Sequence, residues 1–518
     1  MRLSKLVLVG GIALLTGCQT LDSTEATTPK TEVTLTPPVI PEILPEPAPA
    51  PVVITDVWQR IRLQLEMPIP DKKLVNQYRD WYIKHPQHLA RISERAAPFM
   101  YLIVEQLEQR DLPMELALLP IVESAFDPFA YSHGAASGLW QFTSPMAKHF
   151  GLSMNWWYDG RRDVPAATTA ALDMLEYLYG KTNQNWLYAI AAYNTGEGRV
   201  LNAVKRNKRN GKGTDFFSLD LPRETERYVP QLLALADVIK HADKYGITLN
   251  PIENVPVVEV IDVGSQIDLA FAADLADMSI SDLHKLNPGY NRWATAPEGP
   301  HTLVIPIDKA EGFKVALNDT ESSERLHWLR YKIKSGDSLG VIAQKYHTNV
   351  DVIRSVNNIQ GNNIVAGKHL LLPVAAKSPE LYTLSADQRL MSKQSTKRAD
   401  YKQDYIVQAG DSFWKIANKH NTSVDKLARW NGMAPKDTLR PGQKLVIWSN
   451  KVSAQQSQTA VMRTVNYKVR SGDSLAKIAS KFKVTVNELI RWNKLQNQRY
   501  LQPGQMLKMH VDVTKVSV

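Results

Sequence analysis

The sequence predicts an α+β multidomain protein in which a mostly α body is followed by three small βααβ modules. Three observations lead there. Helix start and stop residues punctuate the stretch from Asp56 to Asn250, a Gly-Asp turn recurs three times after residue 330, and 518 residues at 44 % hydrophobic content suffice for several cores. Charged residues are 22 % of the chain and Gly plus Pro occupy 56 positions, which excludes a collagen-like or wholly disordered chain. The single cysteine, Cys18, has no disulfide partner, so stability must come from packed cores.

The chain opens with Met1-Arg2-Leu3-Ser4-Lys5, a short cationic start, and an apolar run from Leu6 to Leu15 that is too short to span a bilayer. Residues 1–17 are expected to be a leader. Leu15-Thr16-Gly17-Cys18 resembles the lipobox of bacterial lipoproteins, and the resemblance implies that Cys18 is the lipid attachment site, with the membrane as partner through the lipidated N-terminus. Several acyl chains on one residue anchor more firmly than a single myristoyl chain. Gln19 follows Cys18 where such lipoproteins carry Asp for inner-membrane retention, so an outer-membrane anchor facing the periplasm is expected. An ordinary cleaved signal peptide with an incidental Cys18 is the alternative. Either way the chain is exported, and no nucleic-acid partner is expected. Residues 18–55 (…TPPVIPEILPEPAPAPVV…) are Pro- and Thr-rich and read as a semi-extended tether.

From residue 56 to 250 the signals are helical. Asp111-Leu112-Pro113 precedes MELALLPIVESAF, whose apolar positions Leu116, Leu119, Ile121 and Val122 predict a helix that Pro128 stops. Pro165 opens a helix closed by Gly180, and Trp186 opens one closed by Gly196 and Gly198. His85-Pro86-Gln87-His88 lacks a further ligand in register, so no metal site and no cofactor are expected.

Glu123 ends the apolar run LALLPIVE, where partial desolvation disfavours its charged form and raises its pKa toward that of a general acid. YSHGAASGLWQF then supplies Gly134 and Gly138 for unusual backbone angles and Gln141 as donor and acceptor. Trp140, Trp156 and Trp157 are candidate aromatic faces for sugar, with core burial the alternative.

Glu123-Ser124, Gly138-Leu139-Trp140-Gln141, Ala192-Tyr193-Asn194-Thr195-Gly196 and Glu224-Thr225-Glu226-Arg227-Tyr228-Val229 together resemble the ordered blocks of the SLT-type lytic transglycosylases. The resemblance implies a lysozyme-like domain over 56–250 that cleaves peptidoglycan glycan strands. It implies Glu123 as the sole catalytic acid/base, Ser132 at the N-acetyl region of the sugar, and Gln141, Tyr193, Asn194 and Tyr228 along the cleft. Trp140 stands where Met is common in that family, which is expected to reshape the subsite floor. A hydrolysing glycosidase normally needs two carboxylates. Asp127 precedes Pro128 and is biased toward loop closure, and spacing does not choose between Asp159 and Asp163 as a mate for Glu123. With one carboxyl, the resemblance implies a 1,6-anhydro product formed without water. A catalytically inactive wall-tethering lipoprotein and a hydrolytic muramidase are the alternatives.

In the C-terminal part, Tyr331…Gly336-Asp337-Ser338, Tyr405…Gly410-Asp411-Ser412 and Tyr467…Gly472-Asp473-Ser474 are each followed by Asn357, Asn431 and Asn493, twenty residues after the Asp. Asp337, Asp411 and Asp473 are expected to cap a first helix, and Asn349, Ser423 and Thr485 a second, with Glu488 completing a capping box. These units, 331–374, 405–448 and 467–510, resemble LysM domains, which implies binding to N-acetylglucosamine-containing polymers; three in one chain raise avidity. Residues 375–400 and 449–463 read as polar linkers. Residues 251–325 are either a degenerate fourth unit, with Val263-Gly264-Ser265 at the turn and Asn287 as the later Asn, or a cap on the helical domain. Residues 375–518 hold 25 Lys/Arg against 10 Asp/Glu, so the net +10 of the chain resides in its C-terminal third. That balance suits any polyanion, whether nucleic acid, anionic lipid or a wall bearing peptide carboxylates, and charge alone does not choose among them.

Overall fold

Asp56 accepts the backbone N–H of Trp58 at 3.3 Å, as an N-cap does, and that of Ile252 at 3.0 Å. The two ends of the helical body are thereby fastened to each other. The computed structural model describes residues 53–450, 462–495 and 501–512. The expected leader, Cys18, nearly all of the tether and most of the 449–463 linker lie outside the described residues.

The body comprises α1 (Val57–Gln64), α2 (Lys73–Lys84), α3 (Pro86–Ala96), α4 (Met100–Gln109), α5 (Leu119–Ser124), α6 (Ser144–His149), α7 (Val164–Lys181), α8 (Trp186–Thr195), α9 (Glu197–Arg209) and α10 (Arg223–Lys240). They share one core that includes Trp58, Phe126, Trp140 and Leu172. α10 is its axis: buried from Thr225 to Ile239 on almost every face, it packs along α2 and α8. Asp163 and Asn185 cap α7 and α8 through the N–H groups of Ala166 and Tyr188, and Gly196 ends α8 at φ 89°.

The run expected to be one helix before Pro128 is two pieces, a 3₁₀ turn over Met114–Leu118 and then α5. Pro120 lacks the N–H that a continuous α-helix needs there, and it suits the first turn of a new one. α5 stops at Ala125, which with Phe126 adopts a left-handed conformation (φ 51° and 58°) three residues before Pro128. Asp111 also has positive φ and makes no cap.

β1 (Val258–Asp262) pairs antiparallel with β2 (Thr302–Pro306), with Val260 opposite Val304, and α11 (Leu269–Leu275) and α12 (Ile280–Leu286) lie between them; α13 (Ile307–Asn318) follows. This βααβ unit also packs on the helical body, because Trp157 and Tyr158 share a core with Tyr290 and Trp293. Backbone bonds seal the contact: Asp159 N–H donates to Gly289 O at 2.8 Å and Asn291 N–H to Trp157 O at 2.7 Å. A Cβ at Gly289 would lie 2.8 Å from the Tyr158 ring, so glycine is what permits the approach.

Three more units follow the same order: β3 (His327–Lys332), α14 (Leu339–Lys345), α15 (Val350–Val356) and β4 (His369–Val374), later β5 (Tyr401–Ile406), and the remaining strands and helices to Asp512. Each has a two-stranded antiparallel sheet. Ser338, Ser412 and Ser474, rather than the preceding aspartates, cap the first helices. Asp337, Asp411 and Asp473 instead close the turn, each accepting a backbone N–H three residues back and the hydroxyl of Tyr331, Tyr405 or Tyr467. Asn349, Ser423 and Thr485 cap the second helices, and Thr485 with Glu488 forms a capping box. The later asparagine mimics a strand edge: Asn431 accepts Val446 N–H at 2.7 Å and donates to Val446 O at 2.8 Å. Asn357 does this with Leu371, Asn493 with Lys508, and Asn287 with Val304.

Residues 375–400, expected to be a polar linker, are docked. Tyr382 is fully buried, and its hydroxyl donates to Asp268 at 2.8 Å, the same carboxylate that receives Ala376 N–H at 2.8 Å. Ser385 caps α16 (Ala386–Ser395), and Ala386 N–H donates to Asn291 O. The one aromatic in a polar stretch provides the apolar area that a linker reading leaves out.

Candidate active site

Glu123 lies on the last turn of α5, where the left-handed Ala125-Phe126 pair turns Phe126 back into the core and leaves the carboxyl at the wall of a cleft of about 930 Å³. Ser124 holds that geometry. Its hydroxyl sits 3.0 Å from Pro120 O and 2.9 Å from Leu139 O and accepts Asp127 N–H at 3.2 Å, tying the end of α5 to the Gly138 block. Gly138 has φ 82°, and a Cβ there would fall 1.7 Å from Arg161 O, so no other residue fits.

Glu123, Ser132, Gln141, Tyr193, Asn194 and Tyr228 all line this cleft. Tyr228, from α10, donates to Glu123 Oε1 at 2.5 Å. Burial pushes the Glu123 carboxyl up to about 7, with the negative charge of Glu224 adding to the rise and the Tyr228 hydrogen bond opposing it. Burial also raises the Tyr193 and Tyr228 hydroxyls well above their ordinary value, so both remain neutral donors. Tyr193 donates to Trp140 O at 2.8 Å, Thr225 donates to Asn194 at 2.7 Å, and the Gln141 amide folds back onto Gly138 O at 2.8 Å. Ser132 Oγ accepts Ala136 N–H at 3.0 Å, which rigidifies the hairpin that forms one bank of the cleft.

The tryptophans stand elsewhere. Trp140 is wholly buried, with its indole N–H on Thr168 at 3.0 Å, so its replacement of Met touches the core and not a subsite floor. Trp157 is in the interface with the 258–318 unit, and Trp156 lies under the Arg292 guanidinium at 4.1 Å, away from the cleft. The candidate carboxylate mates are also occupied elsewhere: Asp127 accepts Phe129 N–H, Asp159 binds Arg161, and Asp163 caps α7 while accepting the Tyr158 hydroxyl. The cleft does contain Glu224, exposed on the first turn of α10, with Arg223, Arg227 and Tyr78. Sequence reasoning missed these as site residues. The first three stand in or beside the Glu224–Val229 block, which was the available signal; Tyr78 comes from α2 and had none.

Residues 100–216 match the family described as Transglycosylase SLT domain, and residues 331–373, 405–448 and 467–509 match the LysM domain. Residues 257–322 match the family described as Lytic transglycosylase MltD, LysM-like domain. Over 403 residues the chain is 34 % identical to membrane-bound lytic murein transglycosylase D of Escherichia coli, covering 76 % of this chain and 85 % of that relative. The chain belongs to the membrane-bound lytic murein transglycosylase D family. It is a lytic transglycosylase whose LysM modules bind peptidoglycan. The N-acetylmuramoyl-L-alanine amidase sle1 of Staphylococcus saprophyticus is 35 % identical over 183 residues, 35 % of this chain and 50 % of the amidase. Among solved structures, the 70 kDa soluble lytic transglycosylase of Escherichia coli matches 34 % of this chain and 32 % of its own at 21 % identity and a TM-score of 0.24. In this member of the family the helical body extends past the matched 100–216 segment on both sides, and Tyr228, the partner of Glu123, comes from the part beyond it.

Proposed function

We propose that Glu123 alone performs both proton transfers of the lytic reaction. Near pH 7 a substantial share of Glu123 is protonated, and it donates that proton to the oxygen linking N-acetylmuramic acid to N-acetylglucosamine. The C1–O bond breaks, an oxocarbenium-like centre forms, and the electron pair leaves with the N-acetylglucosamine 4-oxygen. Glu123, now a carboxylate that accepts the Tyr228 hydroxyl, takes the proton from the muramic 6-hydroxyl as that oxygen closes on C1. The product is a 1,6-anhydro end, and water takes no part. Ser132 is assigned to the N-acetyl group, with Gln141, Tyr193 and Asn194 holding the sugar that flanks the scissile bond.

The observation that carries this reading is a carboxyl that desolvation raises to about 7 and on which, among the described residues, Tyr228 is the one side-chain donor. Glu224 supports a second reading, hydrolysis by two carboxylates, because it shares the cleft. Kinetics on purified sacculi decide between them. Glu123→Gln is expected to lose roughly 10²–10⁴-fold in rate, whereas Glu224→Gln keeps anhydro-ended products; water-derived reducing ends that vanish in Glu224→Gln would establish the hydrolase.

The relative is named membrane-bound, and among the described residues no helix is long and apolar enough to cross a membrane. A lipid on Cys18, holding the protein to the outer membrane with the Pro-rich segment as tether, supplies the attachment. A Cys18→Ser variant is expected to leave the membrane fraction; if it stays there, the anchor lies elsewhere.

A further inference from the structure

A second cavity of about 1120 Å³ lies behind the hairpin that banks the cleft: Tyr131 faces this cavity while Ser132 and Gly134 face Glu123. Its walls come from the helical body, α16 and the second LysM module, the last joined to the body by the Tyr131 hydroxyl donating to Asp437 at 3.0 Å and to α16 by Gln394 donating to Asn431 at 2.9 Å. Arg162, Arg389 and Lys393 converge on it, and among the described residues none of the three has a carboxylate within 4 Å. Arg162 Nη1 donates to Asn291 Oδ1 at 2.9 Å, and Arg389 Nη2 reaches the same oxygen at 3.5 Å, so two guanidiniums share one neutral acceptor. Arg389 packs over Phe129 at 4.5 Å, and its Nη1 is buried without any hydrogen-bond partner.

The acidic groups nearby are engaged. Asp127 accepts Phe129 N–H, Asp159 is held by Arg161, Asp387 takes Arg292 at 2.6 Å, and Asp437 accepts both Tyr131 and Ala434 N–H. Burial lowers Arg389 to about 9 and also lowers Arg162 and Lys393; Arg162 repels Arg389 and both repel Lys393, while the charges of Asp159 and Asp127 oppose the fall. Asp127, Asp159 and Asp437 on the same cavity offset the three cations only in part, since Asp159 is shared with Arg161, and an arriving anion lowers the remaining cost of their burial. A guanidinium with a free edge recognises a carboxylate through two parallel hydrogen bonds.

We propose that this cavity binds a carboxylate of a peptide stem carried by the glycan strand, at Arg389, Arg162 and Lys393. The identity of the ligand rests on the transglycosylase reading, since the stems bear the carboxylates of peptidoglycan, and a strand in the cleft passes on the other side of the same hairpin. Apolar Phe129, Trp156 and Met433 accommodate the aliphatic parts of the stem.

The test titrates the full chain with a synthetic, sugar-free stem tetrapeptide by calorimetry, using intrinsic tryptophan fluorescence as a second readout. Arg389→Met and, independently, Lys393→Met are each expected to weaken binding by about tenfold or more, as the loss of a charge-assisted contact does. The same peptide with its carboxyls amidated is expected to bind at least as weakly. No binding by the wild-type chain, undiminished binding by both variants, or displacement by inorganic phosphate at concentrations no higher than those of the peptide would overturn the proposal. Anhydro ends released by the wild-type chain from peptide-free glycan report the transglycosylase reading separately, so failure of one is not confused with failure of the other.

Discussion

Two neighbours pull Glu123 in opposite directions, which makes the site testable by sign. The negative charge of Glu224 raises its pKa and the Tyr228 hydroxyl lowers it. The alkaline limb of the pH–rate profile follows the loss of the acid's proton, so it should lie near 7, move down in Glu224→Gln and move up in Tyr228→Phe. Equal shifts in one direction would mean that the limb belongs to another group. Stability obeys the same linkage. Because burial raises Glu123 above its ordinary 4.5, the unfolded chain loses this proton first, and the residue destabilises the fold progressively as pH rises through about 7. Glu123→Gln should therefore be more stable than the wild type above pH 7, by roughly 3 kcal/mol, measured by denaturant unfolding at pH 5 and pH 8. Glu123, Ser132 and Gln141 were legible in the sequence because they stand in short contiguous blocks. Tyr78 was not, since only the packing of α2 on α10 brings it to the cleft.

Each repeated module carries one bracket beside its apolar core, the asparagine that pairs like a peptide with the last strand. Asn431 is 2 % exposed, so truncating it strands the N–H and C=O of Val446 away from water, whereas the Asn493 bracket to Lys508 is open to solvent. Asn431→Ala should destabilise its module by about 2–4 kcal/mol and Asn493→Ala by about 1 kcal/mol, resolved by hydrogen exchange in each module; equal effects would refute the bracket account. The Gly-Asp turns and the twenty-residue spacing made these modules readable. The aspartates' true role was not, because a carboxylate that caps a helix and one that closes the preceding turn have the same place in a sequence. Pro120 concealed the division of the Glu123 helix in a similar way, since its neighbours keep an apolar period through the break.

Across the whole molecule, order in the sequence and assembly in space diverge most at 375–400. Composition suggested a free linker, yet Tyr382 and α16 fasten it to the 258–318 unit and bring the second LysM module beside the cleft. Long-range pairing of this kind leaves no periodic trace. The basic C-terminal third and its two LysM modules should dominate wall retention, so removing residues 401–518 should weaken sacculus binding in low salt far more than at 1 M, where the Debye length is about 3 Å. Salt-insensitive binding would locate retention in shape recognition alone. Mass spectrometry of the sugar ends from wild-type digests of sacculi probes the reaction itself. Single-acid chemistry predicts muramic ends one water lighter than a reducing sugar; muramic ends carrying that water would contradict it.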